Sequence, residues 1–225
     1  MSGYYDRKLS GSSLERVYEL APPRVQRYLR AELDFVVKRL RPTDVVLDLG
    51  CGYGRTLPEL ARRAAFVVGI DTSAQSLALA REQLGRRPNV LLAHMDASDL
   101  AFADGSFDAV ICIQNGISAF HVDQRKLIHE SLRVLKPGGM ALFSSYADRF
   151  WKHRLDWFER QAAAGLIGEI DPERTRNGVI VCTDGLVLTT VRPAEFEALA
   201  AGSDVRLEMI LVDGSSQFYV LEKLG

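Results

Sequence analysis

The stretch VVLDLGCGYGRTLPEL, Val45–Leu60, decides the fold. A five-residue apolar run interrupted by Asp48 reads as a buried strand, and RTLPELARRA reads as a helix whose first turn tolerates Pro58. Between them stand Gly50, Gly52 and Gly54 at alternate positions. Glycines there permit turns and a close approach of bare backbone that a Cβ would block. A dinucleotide-binding turn places Gly-x-Gly-x-x-Gly at this point, with the pyrophosphate at the helix N-terminus. Here the order is Asp48-x-Gly50-x-Gly52-x-Gly54, and Arg55 occupies the place of the dinucleotide motif's third glycine. The spacing argues for a nucleotide-like ligand other than NAD or FAD.

Outward from this stretch, strand and helix alternate. On the N-terminal side Val25, Leu29, Leu33, Val36 and Leu40 recur at helical spacing over residues ~23–40, and Pro42 stops that helix. On the C-terminal side AFVVGI, residues 65–70, is a second strand, and Thr72 with Gln75 has capping-box spacing for the next helix. NVLLAH and FDAVICI are the third and fourth strands. A helix from about residue 123 to 135 follows, which KPGG breaks before the fifth strand, MALFSSY. Short links between alternating elements predict an α/β fold: a Rossmann-like, doubly wound, seven-stranded sheet, mostly parallel, with the last strand antiparallel. The closing pair is VRLEMILV and QFYVLEKL around DGSS.

After Ala147 the pattern changes. RFWKHRLDWFERQAAAG is helical in spacing, and Asp-Gly between two apolar runs in GVIVCTDGLVLTTV signals a hairpin. Residues 148–191 are therefore expected to form a cap inserted after strand five, over an acceptor site. Residues 1–40 are expected to form an N-terminal helical lid, and 1–225 a single domain.

The 225 residues carry a formal net charge of −1, with 47% hydrophobic and 25% charged residues. That balance provides no global field for nucleic acid or an anionic membrane. A local basic cluster, Arg24, Arg27, Arg30, Lys38, Arg39 and Arg41, is the solvated face of the first helix or a docking surface. Cys51, Cys112 and Cys182 are far apart in sequence and without a Cys-x-x-Cys pair, which predicts reduced thiols and no metal site. The N-terminal segment has no basic region followed by an apolar core, and no apolar run approaches the roughly 20 residues that span a bilayer. These features predict a cytoplasmic protein with no membrane partner, monomeric or homodimeric.

Four stretches taken together resemble the class I S-adenosylmethionine-dependent methyltransferases over about residues 40–146. LDLGCGYG is similar to their first motif and VVGIDTS to the second, with Asp71 ending the second strand. HMDASDLAFADGSFDAVICIQ is similar to the adenine pocket and fourth strand, and SLRVLKPGGMALFSSY to the helix, turn and fifth strand. The resemblance implies S-adenosylmethionine as cofactor and S-adenosylhomocysteine as product. It implies that Asp71 takes the ribose hydroxyls, assisted by Thr72, and that Asp96 takes the adenine amino group beside Ala97. Gly50 and Gly52 then lie against the methionine moiety, with Asp48 fixing the loop or reaching the ammonium through water. Gln114 and Asn115 border the sulfonium. They do not form the Asn/Asp-Pro-Pro-Tyr motif of base amino methylation, so the acceptor is expected to be a small molecule and nucleic acid is disfavoured.

Each assignment has a plainer alternative: a cap for Asp71, a turn for Asp96, a helix approach for Gln114 and Asn115. His121 and Tyr146 leave the fourth and fifth strands where an acceptor should sit and are the candidate catalytic residues. A helix start and a packed wall are their alternatives. Tyr4 and Tyr5 are candidates to fold over the cofactor and bond its carboxylate. A protein or RNA methyltransferase, a non-catalytic binding module and a nicotinamide oxidoreductase are the rival readings.

Overall fold

The computed structural model describes Tyr4 and residues 8–225. Two helices open the described chain, α1 (Ser12–Glu19) and α2 (Pro23–Val37). The doubly wound half follows: β1 (Val45–Leu49), α3 (Leu57–Arg63), β2 (Phe66–Asp71), α4 (Ala74–Leu84), β3 (Val90–His94) and β4 (Phe107–Cys112). Then come α5 (Gly116–Ala119), α6 (Gln124–Val134), β5 (Leu135–Tyr146), a 3-10 turn (Asp148–Phe150) and α7 (Trp151–Ala163). A small hairpin, β6 (Ile180–Val181) and β7 (Val187–Leu188), precedes α8 (Pro193–Ala200), β8 (Val205–Val212) and β9 (Ser216–Lys223).

The main sheet has seven strands in the order β3-β2-β1-β4-β5-β9-β8. The first five are parallel, and β9 runs antiparallel to both its neighbours. This is the expected fold class. From β1 the chain winds outward to β2 and β3, then returns to β4 on the other side. The crevice at the carboxyl ends of β1 and β4 is thus a topological switch point, where ligands bind in open α/β sheets.

Both faces of the sheet are covered, which explains the near-continuous apolar strands. On one face Leu47, Ile70, Val110 and Phe143 pack with Leu127, Ile128 and Leu132 of α6 and Phe196 of α8. On the other, Val46, Val67, Ile111 and Leu142 pack with Leu33 and Val36 of α2, Leu57 and Leu60 of α3, and Leu77 of α4. A separate cluster joins the N-terminal helices to the cap: Val17, Val25, Tyr28 and Leu29 meet Phe150, Trp157, Phe158 and Ile180. The Trp157 indole N–H donates to the Val17 carbonyl at 2.9 Å, and Tyr28 lies between Tyr146 and Phe150 at 5.3 and 5.0 Å. The cap aromatics are therefore the core that fastens α7 to the N-terminal helices.

Three expectations need correction. Lys136–Gly139 does not precede the fifth strand but lies inside it: Phe107 pairs with Leu135, the register shifts, and pairing resumes at Ala109 with Met140. Pro137 has no N–H for the ladder and Gly138 takes φ +74°, so the segment bulges. The α4 cap is Ser73, not Thr72. Ser73 Oγ accepts from the Ser76 N–H at 3.1 Å, while the Thr72 carbonyl is taken by the His94 ring at 2.7 Å. The N-terminal segment holds two helices, α1 and α2, where the helical spacing was read only over residues ~23–40.

The DGSS turn behaves as its composition predicts. Asp213 and Gly214 both take positive φ, 53° and 65°, the geometry that matches the twist of a tight hairpin. Asp213 also receives ion pairs from Arg24, at 2.8 Å, and Arg27. Arg30 pairs with Asp34 and Glu59, and Arg41 with Asp44. The basic cluster of α2 is thus mostly bound to carboxylates of the chain. Among the described residues no helix is long and apolar enough to cross a membrane, and no group of acids, histidines and cysteines could hold a metal.

Candidate active site

A cavity of about 290 Å³ opens at the switch point. Its floor is the glycine loop after β1, its walls are the carboxyl ends of β2, β3 and β4, and Leu9, Leu14 and Tyr18 close it from the N-terminal side. Tyr4, Asp48, Gly50, Gly52, Asp71, Thr72, Asp96, Ala97, Gln114 and His121 all line this one cavity. Tyr5 lies outside the described residues.

Each side chain is set by its element. Asp48, 3% exposed near the end of β1, accepts the Thr56 hydroxyl at 2.7 Å and so ties the strand to the start of α3. Burial pushes its carboxyl up to about 6, against the opposing effects of Thr56 and Arg55. Asp71 ends β2 and accepts the N–H groups of Ser73 (2.7 Å) and Gly52 (2.9 Å), which clamps the glycine loop to the second strand. Asp96 accepts both the N–H and the hydroxyl of Ser98, a turn that fixes its carboxylate beside the buried Ala97.

The turn after β4 is strained. Gln114 and Asn115 take positive φ, 56° and 62°, a region costly for non-glycine residues. A buried carboxylate holds it: Glu32 of α2, fully inaccessible, accepts the Gln114 N–H at 2.9 Å and a short bond from the Ser216 hydroxyl. Burial raises the Glu32 carboxyl above its usual range, and hydrogen bonds from Ser216 and Gln114 oppose that. The Gln114 side chain, directed into the cavity, accepts the Tyr18 hydroxyl at 2.7 Å. His121 follows with φ 54°, and partial burial lowers its imidazole below the usual value.

Two expected site residues sit elsewhere. Asn115 is 2% exposed and is not in the cavity wall; its amide donates to the Thr189 carbonyl at 3.0 Å and accepts the Ser145 hydroxyl at 2.7 Å. The turn that aims Gln114 inward points its neighbour at the cap. Tyr146 is 9% exposed and lines a second cavity with Asp148, Trp151, Arg154 and Arg192. It packs on Tyr28 and under the Arg154 guanidinium, at 4.5 Å. The Tyr4 hydroxyl donates to Asp184 at 2.5 Å.

Glu32, Tyr18, Arg55 and Phe120 were missed as site residues. Glu32 had a signal: an acid set among Leu29, Leu33 and Val36 on the apolar stripe of α2. Phe120 had none, because its place above Gly50 depends on the fold of the turn after β4.

The crevice stands at a switch point, floored by alternating glycines and flanked by one acid at the end of β2 and another after β3, the place where open α/β sheets bind their ligands. Residues 46–139 match the family model of a methyltransferase domain. A demethylmenaquinone methyltransferase of Clavibacter sepedonicus is 41% identical over 102 residues, 45% of this chain and 41% of that protein. A 2-methyl-6-phytyl-1,4-hydroquinone methyltransferase of Synechocystis sp. is 31% identical over 169 residues, 65% of this chain and 52% of that protein. The chain thus spans about half or less of the length of these curated relatives. A solved structure of a protein from Pyrococcus horikoshii OT3 has a TM-score of 0.68 at 24% identity, over 91% of this chain and 93% of that one. What these sequence matches share is a methyltransferase domain, which the family model finds over residues 46–139 of this chain, and the solved structure shares the fold.

Proposed function

We propose that this protein is an S-adenosylmethionine-dependent methyltransferase acting on a small-molecule acceptor. The observation that carries the reading is the convergence of Asp71, the Gly50–Gly52 loop, Asp96 and Gln114 on one cavity. The residues fit the cofactor. Asp71 presents two carboxylate oxygens for a ribose diol, Asp96 and Ala97 border the adenine, and Gly50, Gly52 and Asp48 face the amino-acid end. When bound, the cofactor supplies a methyl group already activated by its sulfonium. The chain's part is alignment and exclusion of water. Tyr18, Phe120, Leu14 and Val122 contribute apolar lining to the same cavity as Gln114, and His121, which also lines it, is the candidate to take a proton from a hydroxyl acceptor. Its lowered pKa keeps the imidazole neutral, and so able to take a proton, at pH 7.

The apolar wall and the named activities of the relatives support a small apolar acceptor, with phenolic and quinol molecules first among the candidates. The ion-paired basic stripe of α2 favours this over an RNA or protein acceptor, because its arginines already serve carboxylates of the chain. The free, buried cysteines fit a reducing cytoplasm. Incubation with S-adenosylmethionine labelled in the methyl group and a panel of small hydroquinones, phenols, amines and thiols tests the reading. Label is expected in a small-molecule product. Label transferred only to RNA or protein, or to nothing while the cofactor binds, contradicts it.

A further inference from the structure

The ring of Phe120 stands in a slot between two bare backbones. A Cβ built on Gly50 would lie 2.5 Å from the Cε1 and Cζ atoms of Phe120, so the ring rests directly on the glycine loop after β1. A Cβ built on Gly116, the first residue of α5, would lie 2.9 Å from Cζ and 3.2 Å from Cε1 of the same ring. One edge of the ring is thus held between a glycine on the β1 side of the switch point and a glycine on the β4 side. Any side chain at either position would close the slot, which is a use for the missing Cβ at both. Phe120, Gly50 and Gly116 all line the cavity at the switch point, and Phe120 is half-buried there.

The segment that carries the ring is short and strained, with an anchor on each side. Helix α5 has four residues and no side-chain bond at its N-cap, and Phe120 is its C-cap. The Gln124 amide holds the helix from the far side by donating to the Ile117 carbonyl at 3.1 Å. Beyond the ring, Asp123 caps α6 by accepting the N–H groups of Arg125 at 2.8 Å and Lys126 at 3.1 Å. Between these anchors His121 takes φ 54°, a left-handed conformation that costs energy in a residue other than glycine. Strain of this kind gathers in segments with two arrangements. The methyltransferase reading gives the bare backbone of Gly50 to the amino-acid end of S-adenosylmethionine. The ring and that end cannot fill the slot together.

We propose that Phe120 is a gate whose ring closes the slot between Gly50 and Gly116 and leaves it when the amino-acid end of the cofactor enters. This rests on the methyltransferase reading above. The closed ring lowers the apparent affinity for the cofactor by the fraction of molecules in which the slot is open. A ligand without an amino-acid end does not need the slot and is indifferent to the gate.

The test combines calorimetric titration of the wild type, Phe120→Leu and Phe120→Ala with nuclear magnetic resonance of the wild type. The ligands are S-adenosylhomocysteine and 5′-methylthioadenosine, which lacks the amino-acid end. Phe120→Ala is expected to bind S-adenosylhomocysteine about 3- to 10-fold more tightly, through faster association, as when the competent state becomes fully populated. Phe120→Leu should fall between it and the wild type. Affinity for 5′-methylthioadenosine is expected to stay within about 2-fold, because a ligand shifts only an equilibrium whose two states it distinguishes. In the free wild type the ring protons of Phe120 should show Overhauser contacts to the α protons of Gly50 and Gly116, lost on saturation with S-adenosylhomocysteine. This second measurement needs no variant to fold. Contacts that are absent from the free protein or persist at saturation overturn the gate and leave the methyltransferase reading standing. So does S-adenosylhomocysteine binding that is weaker or unchanged in Phe120→Ala, or equal tightening of both ligands. Failure of the wild type and Phe120→Ala to bind either ligand overturns the methyltransferase reading and this proposal with it.

Discussion

Asp48 and Asp71 are both carboxylates at strand ends, yet their surroundings give them different work. Asp71 is partly open and receives two backbone N–H groups, which hold its carboxylate at the cavity. Asp48 is enclosed, and burial lifts its carboxyl from 3.8 to about 6. With the folded value above the unfolded one, the native protein holds a proton that the unfolded chain has lost. Stability therefore falls as pH rises from about 4 to about 6 and stays at the lower level above that. Asp48→Asn keeps an acceptor for Thr56 and removes this penalty, which is at most about 3 kcal/mol for a shift of roughly two units. Thermal denaturation is expected to show the variant more stable than wild type at pH 7.5, with the gain shrinking toward pH 4. A gain that is equal at both pH values contradicts the raised pKa. Sequence alone gave no hint of this shift, because it comes from the elements packed over β1, not from the motif.

At the scale of elements, the glycine loop is held by contacts from distant parts of the chain. Gly50 has φ +70°, and a Cβ there would lie 2.5 Å from ring carbons of Phe120. Gly50→Ala combines backbone strain with a clash and is expected to cost about 1–3 kcal/mol or more in stability. In a Phe120→Ala background the clash disappears and only the backbone part remains. A double-mutant cycle from denaturant melts should therefore show coupling; strict additivity would mean that the ring and the loop are independent. The strands, the α6 helix and the DGSS turn were legible because their signals are local: apolar runs, a 3.6 period, an Asp-Gly pair. The cap helix and hairpin were legible as elements for the same reason. Their fastening to α1 and α2 through Trp157 and Tyr28 was not, since that depends on residues 100 or more positions apart. The turn after β4 was half legible. Its polar residues marked a site, but only the buried Glu32 and the two positive φ values decide that Gln114 faces the cavity and Asn115 the cap.

Across the whole molecule, one cavity gathers residues from α1, β1, β2, the β3–β4 link and the turn after β4. Most of the residues expected on the cofactor side line this cavity because the motifs are contiguous and the topology brings strand ends together. Tyr146 ends β5 packed against Tyr28 and Phe150, so it lines the second cavity and not the one at the switch point. The electrostatics fit a small zwitterionic ligand: a net charge of −1, a neutralised basic stripe, and a cavity holding both acids and one arginine. The central claim is that this cavity binds S-adenosylmethionine through Asp71. Calorimetric titration of the wild type and Asp71→Ala with S-adenosylmethionine, and with NADH as control, tests it most directly. The account predicts saturable binding of S-adenosylmethionine to the wild type, loss of about 10-fold or more in a folded Asp71→Ala, and no binding of NADH. Unchanged affinity in Asp71→Ala, or binding of NADH in place of S-adenosylmethionine, would contradict it.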